Sequence, residues 1–241
     1  MVANVFHSKR DSGLGRILSL MIMCLEDVVG SARVQALVSL LEDPELFESG
    51  SLTAGRSAKQ IKSNLQGSKR HPEISGVVDK VREALAQNAE FKRIAIPARI
   101  GRVMVSRYEP GMSYGTHFDD AFIDGVRTDL SFTVFLSDPE SYIGGALELT
   151  TPTGSQAIKL PAGCAVVYPS DQLHAVQPVT EGVRLAVVGW VQSRVRSAEQ
   201  RQLLYELASA TDTLATAHED EPAITQLRFV RNNLIRMWSD G

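Results

Sequence analysis

The 241-residue sequence is poor in cysteine, in aromatic residues and in charge of one sign. Its two cysteines, Cys24 and Cys164, cannot build a disulfide scaffold and lack Cys-x-x-Cys spacing, which points to a reducing, cytoplasmic setting. Twenty-five basic and 28 acidic residues leave a net charge of −3, with no basic field for nucleic acid and no charged tail. Long apolar runs are absent too. "HSKRDSGLGRILSLMIMCL" places basic residues before an apolar stretch, as a signal peptide does. Glu26 and Asp27 break that stretch off and no small-residue cleavage site follows. It also falls short of the roughly 20 apolar residues that a membrane span requires. The expectation is a first strand entering a folded domain, with residues 1–20 an extension and Met21 an alternative start.

What is present is a globular composition, 44% hydrophobic and 22% charged. Residues 21–90 read as an α/β support region. "SARVQALVSLLE" (31–42) has helical apolar spacing behind a capping Ser, and 72–90 reads as a second helix opened by Pro72 and Glu73. From 91 to 194 the rhythm changes. Short β-rich runs such as "LSFTVFLSDP", "CAVVYPS" and "VRLAVVGWVQS" alternate with Gly, Pro, Asp and Ser clusters, which predicts a β sandwich or barrel. Gly144 and Gly145 are expected at a tight turn between strands. Residues 195–241 read as two helices. The second has Leu227, Val230, Leu234 and Met237 on the side expected to pack on the barrel, or to meet another copy in a homo-oligomer.

Of the five histidines, His7, His71 and His218 lie in polar surroundings and read as surface residues. His117 differs, because Asp119 follows two positions on. In extended chain both side chains leave the same face, so an imidazole and a carboxylate converge, while Asp120 turns away. His174 follows 57 residues further on, at the start of a β run, where a rolled barrel can bring it to the same mouth. Two His and one carboxylate form the facial triad of non-haem Fe(II) oxygenases. Zinc with the same donors is the competing reading, and a zinc hydrolase would need a general base that Asp120 is turned away from supplying. Arg184 enters an otherwise apolar strand and needs an anion: either a dicarboxylic cosubstrate or an internal acid such as Glu148 or Asp129. In "KQIKSNLQ", Lys62, Asn64 and Gln66 share one face if extended, and either line a substrate cleft or form a solvated edge. Tyr114 and Tyr168 read as ordinary strand aromatics, or as phenols near the metal able to hydrogen-bond a bound cosubstrate.

The set His117, Asp119, His174 and Arg184 resembles the Fe(II)/2-oxoglutarate dioxygenases of the prolyl-hydroxylase-like superfamily. Beyond that set, "RYEPGMSYGTHFD", "RTDLSFTVFLSDPESYIGGALEL", "IKLPAGCAVVYPSDQLHAVQPVTEGVRLAVVGWVQSRVR" and "TAGRSAKQIKSNLQ" look like bacterial PKHD-type hydroxylases. The resemblance runs from about residue 21 to the end. It implies an α+β chain whose core is a double-stranded β-helix (jelly roll) with N- and C-terminal flanking helices. It implies Fe(II) on His117, Asp119 and His174, and 2-oxoglutarate gripped at its far carboxylate by Arg184, with Tyr108 as a hydrogen-bonding partner. O2 is the other co-substrate, succinate and CO2 the coproducts, and L-ascorbate a helper that keeps the iron ferrous. The substrate, peptidyl or small molecule, is not implied. A non-catalytic iron and 2-oxoglutarate sensor would keep the same residues. The sequence departs from the family at Ala146 and Cys164, where acids are common.

Overall fold

A computed structural model describes residues 22–53, 58–152, 154–217 and 222–240. The expected extension at 1–20, the start at Met21, and His7 and His218 lie outside the described residues. The chain opens with β1 (Met23–Leu25), α1 (Ser31–Ser39), β2 (Phe47–Ser49), β3 (Lys62–Ser63) and β4 (Leu65–Gly67). Helices α2 (Pro72–Gln87) and α3 (Ala89–Ala95) follow. The strands β5 (Pro97–Tyr108), β6 (Ser113–His117), β7 (Phe122–Ile123), β8 (Val126–Arg127), β9 (Leu130–Phe135) and β10 (Tyr142–Gly144) come next. Then come β11 (Leu147–Thr151), β12 (Gly154–Ile158), β13 (Ala165–Pro169), β14 (His174–Val176), β15 (Val179–Gly182) and β16 (Arg184–Ser193). Helices α4 (Ala198–Ala217) and α5 (Pro222–Trp238) complete the described chain.

Two antiparallel sheets face each other as a jelly roll. The larger runs β1-β13-β9-β16-β5-β4-β2 and the smaller β12-β11-β14-β6-β3. Strand β9 is buried along its whole length because both of its faces are covered. Its Leu130, Phe132 and Val134 point outward to α2 and α3, and Phe132 meets Phe91 edge to face with ring centroids 6.2 Å apart. Its Ser131, Thr133 and Phe135 point into the barrel. Period-2 alternation along β16 does the same: Leu185, Val187 and Val191 join the outer core, whereas Arg184 faces inward. The outer core rests on α2, whose Ile74, Val77, Val81 and Leu85 recur at helical spacing. Burying each such side chain contributes about 1.5–3 kcal/mol.

The helix expected over 72–90 is two helices. Asn88 interrupts it in an extended conformation, and its side-chain oxygen accepts from Phe91 N at 2.8 Å, capping α3. The buried side of α5 also differs from expectation. Ile224 is buried, and Leu234, Ile235 and Trp238 pack on Ile96, Val195 and Leu204. Val230 and Met237 are exposed, at 41% and 74%. Helix α4 supplies Leu204 to that contact and the segments beside α3 and β16 supply Ile96 and Val195, so the apolar stripe of α5 is narrower and rotated. Gly144 and Gly145 do form a turn with positive φ. A Cβ on Gly144 would lie 2.0 Å from the Pro178 carbonyl oxygen. Ala146 and Cys164 are buried, where an acid would need a partner.

Candidate active site

The smaller sheet carries the two histidines to one point. His174, first residue of β14, pairs directly with His117, last residue of β6. The next pairing is Val176 with Tyr114, so β6 holds one extra residue at Gly115–Thr116. Such a bulge re-aims side chains. Here it brings Tyr114 onto the face of His117, the rings stacked 3.6 Å apart, although an odd separation would place them on opposite faces. Asp119 lies just past the strand, its N–H bonded to the Ser170 carbonyl at 3.1 Å. One ligand atom from each of His117, Asp119 and His174 lies within 4.8 Å of the others. Asp120 is outside that group, although it lines the same cavity.

The donors are fixed from behind. His117 Nδ1 donates to the Gly115 carbonyl and His174 Nδ1 to the Gln172 carbonyl, each at 2.8 Å. A carbonyl can only accept, so both Nδ1 atoms carry the proton and both Nε2 lone pairs remain for a ligand. Ser131 Oγ donates to Asp119 Oδ2 at 2.5 Å and shares a 2.9 Å hydrogen bond with Ser170. Burial lowers the His117 pKa to about 4, aided by His174, so the ring is neutral at physiological pH. This N,N,O set suits a divalent transition metal and leaves coordination positions open.

Arg184, first residue of β16, pairs with Tyr108 at the end of β5, and its guanidinium lies 5.3 Å from the Tyr108 ring centroid. It is 1% exposed, and its Nε and Nη1 have no hydrogen-bond partner among the described residues. The internal acids that might have paired with it are engaged elsewhere. Asp129 is held by Arg127 and by the Ser193 N–H, and Glu148 accepts from Gln177. The buried Tyr142 hydroxyl also lacks a partner, and burial raises its pKa against the pull of the nearby Arg184 charge. A buried cation with free donors fits an anionic ligand's carboxylate.

Between these two poles lies a cavity of about 540 Å³, lined by all the residues singled out from sequence: Lys62, Asn64, Gln66, Tyr108, His117, Asp119, His174 and Arg184. Lys62 faces the Tyr114 ring at 5.1 Å, and burial lowers its pKa to about 8 while Asp119 opposes the shift. Asn64 and Gln66 are buried, so this segment is no solvated edge. Asn64 Nδ2 donates to Ser106 Oγ at 2.9 Å, which ties β4 to β5. Sequence reasoning missed Ser131, Ser170 and Tyr142. Ser131 carried a weak signal, a polar side chain on the inward alternation of an apolar strand.

A jelly roll that gathers two imidazoles and a carboxylate at its mouth defines a non-haem metal oxygenase class. Residues 103–192 match the 2OG-Fe(II) oxygenase superfamily, and residues 199–240 match the PKHD-type hydroxylase C-terminal domain. A PKHD-type hydroxylase of Synechococcus sp. is 40% identical over 224 residues, spanning 91% of this chain and 100% of that protein. One from Maricaulis maris is 41% identical over 220 residues, with the same coverage of 91% and 100%. Among solved structures, a Trichoplax adhaerens prolyl hydroxylase in complex with a hypoxia inducible factor oxygen degradation domain peptide fragment aligns at a TM-score of 0.52. It has 18% identity over 76% of this chain and 86% of that one, a likeness of fold. The chain belongs to the PKHD-type hydroxylase family. It is an Fe(II)- and 2-oxoglutarate-dependent dioxygenase that uses O2 to hydroxylate its substrate.

Proposed function

We propose that His117, Asp119 and His174 hold the Fe(II), that Arg184 with Tyr108 and Tyr142 holds 2-oxoglutarate, and that Lys62 faces the substrate. The observation that carries this reading is the buried Arg184 guanidinium, with its Nε and Nη1 unpartnered, in the same cavity as the three-residue metal group. With Fe(II) held there, the site would support oxidative decarboxylation of 2-oxoglutarate by O2 to succinate and CO2, one oxygen atom of O2 going to succinate and the other to a substrate C–H carbon.

The chain's own residues do the positioning. Arg184 takes the far carboxylate of 2-oxoglutarate bidentately. The Tyr142 hydroxyl donates to the same carboxylate. Phe135, 5.4 Å from the guanidinium, and Tyr108 wall that end from water and strengthen the contact. Ser131 holds the Asp119 carboxylate in one orientation. Lys62 sits on the open side beside Tyr114 and presents a donor to the incoming substrate. Asn64 and Gln66 shape the wall behind it. The two free thiols at Cys24 and Cys164 accord with a cytoplasmic location, and among the described residues no helix is long and apolar enough to cross a membrane. The exposed Phe229 and Met237 mark where self-association through the C-terminal helices would occur. L-Ascorbate would act as the reductant that restores ferrous iron.

The test is anaerobic loading with Fe(II) and 2-oxoglutarate, then O2 and a cell extract, with succinate and +16 Da products measured by mass spectrometry. Succinate release that rises with extract, and falls when ascorbate is withheld, is expected. Binding of both ligands without any succinate would sink the assignment.

A further inference from the structure

A second cavity, of about 480 Å³, adjoins the first and lies along the opening turns of α2. The two share Gln66, Arg102, Met104 and Asp124. Their common wall thus includes an ion pair. Arg102 Nε donates to Asp124 Oδ2 at 2.7 Å and Nη2 to Oδ1 at 2.5 Å, a bidentate grip on a carboxylate. Arg102 is placed there by a bulge. Val103 pairs with Gly189 and Ile100 with Val191, so Gly101 and Arg102 together oppose Trp190. Asp124 sits at the tip of the β7–β8 hairpin, where Asp124 and Gly125 both have positive φ, and its side chain is 52% exposed.

Resting on the catalytic reading above, we propose that Arg102 is the receptor for a carboxylate of the substrate. An anionic substrate displaces Asp124, which joins the two cavities. The bond to be hydroxylated then lies in the first cavity and the body of the molecule in the second. Asp124's own carboxylate marks the geometry that the substrate's carboxylate takes. The exchange replaces one carboxylate with another, so it costs little charge–charge energy. A solvent-exposed pair of this kind adds little to the stability of the fold, and Asp124 passes into water when released. The second cavity adds cations: Lys69 and Arg70 line it and make no ion pair among the described residues. Glu48 and Asp79 also line it, whereas Arg82 is committed to the carbonyls of Ile100 and Gly101. Trp190, which Gly101 and Arg102 oppose across the strand pair, also lines the first cavity, and its buried indole N–H has no partner among the described residues.

The experiment uses the full-length enzyme with Fe(II) and 2-oxoglutarate, and a deproteinised, nuclease-treated cell extract split on an anion exchanger. Stimulated succinate release is read for each fraction. The stimulating compounds are expected in the retained, anionic fraction. Arg102→Gln should raise the extract concentration for half-maximal stimulation tenfold or more. Asp124→Asn should lower it, because the competing carboxylate is gone. A pair that only braced the hairpin would make both variants worse together, and that result overturns the proposal. So does stimulation by the flow-through alone or by neither fraction. Absence of any Fe(II)-dependent succinate release, even without extract, would instead remove the catalytic reading on which this one stands.

Discussion

His117 and His174 are direct cross-strand partners, with ring centroids 4.1 Å apart, although 56 residues separate them in the chain. One register slip in β14 would send His174 to the opposite face. His174→Ala is therefore expected to abolish Fe(II) binding while leaving the barrel folded, measured by anaerobic calorimetry beside circular dichroism.

Arg184 is a buried charge whose free donors face the cavity. Arg184→Met should spare metal binding and weaken 2-oxoglutarate by about 2–5 kcal/mol, at least ~30-fold in Kd. The apo protein should melt no lower than wild type, since an unpaired buried cation is replaced by an apolar side chain of similar length. Unchanged cosubstrate affinity would refute the role given to Arg184.

Among the described residues Ser131 hydrogen-bonds Asp119 and neither histidine of the metal group. Ser131→Ala should lower Fe(II) affinity by about 10–100-fold, the usual effect of removing a ligand's supporting hydrogen bond. Ser131→Thr, which keeps the hydroxyl, should recover part of that loss.

Burial holds His117 down to about 4, against an ordinary 6.5. Between those values the unfolded chain binds a proton that the folded apo protein does not. Apo stability should hold above pH 6.5 and fall as pH drops through 6.5 toward 4. His117→Gln should remove that part of the slope in urea titrations run with chelator.

Gly144 has φ of 76°, and a Cβ there would lie 2.0 Å from a backbone oxygen. Gly144→Ala should cost about 2–3 kcal/mol, a melting temperature lower by roughly 5–10 °C.

The sequence was readable where physics is local. The apolar strand pattern of "VRLAVVGWV" marked Arg184 as an inward charge, and the i, i+2 rule favoured Asp119 over Asp120 as the partner of His117. It was silent where an extra residue shifts the phase. Nothing in "YGTH" announces the bulge that stacks Tyr114 on His117, and nothing in "IGRV" announces the one that aims Arg102. Tyr142 and Ser131 gained their places only through strands far away in the chain. The Asn88 cap was legible and overlooked, because strong helical patterning on both sides masked a one-residue break. The α5 stripe was misjudged because its contacts, Leu204 of α4 with Ile96 and Val195, come from distant parts of the chain that local periodicity does not encode.

The two imidazoles are locked by carbonyls two positions before them in the chain, Gly115 on β6 and Gln172 in the turn ahead of β14. An arriving cation therefore meets nitrogens already aimed, and sheds its water without waiting for the chain to rearrange. A nest so ready discriminates poorly among first-row ions, and copper or zinc would outcompete ferrous iron at equal supply. Which ion the protein carries when isolated would then report the metal economy of its host rather than any preference of its own.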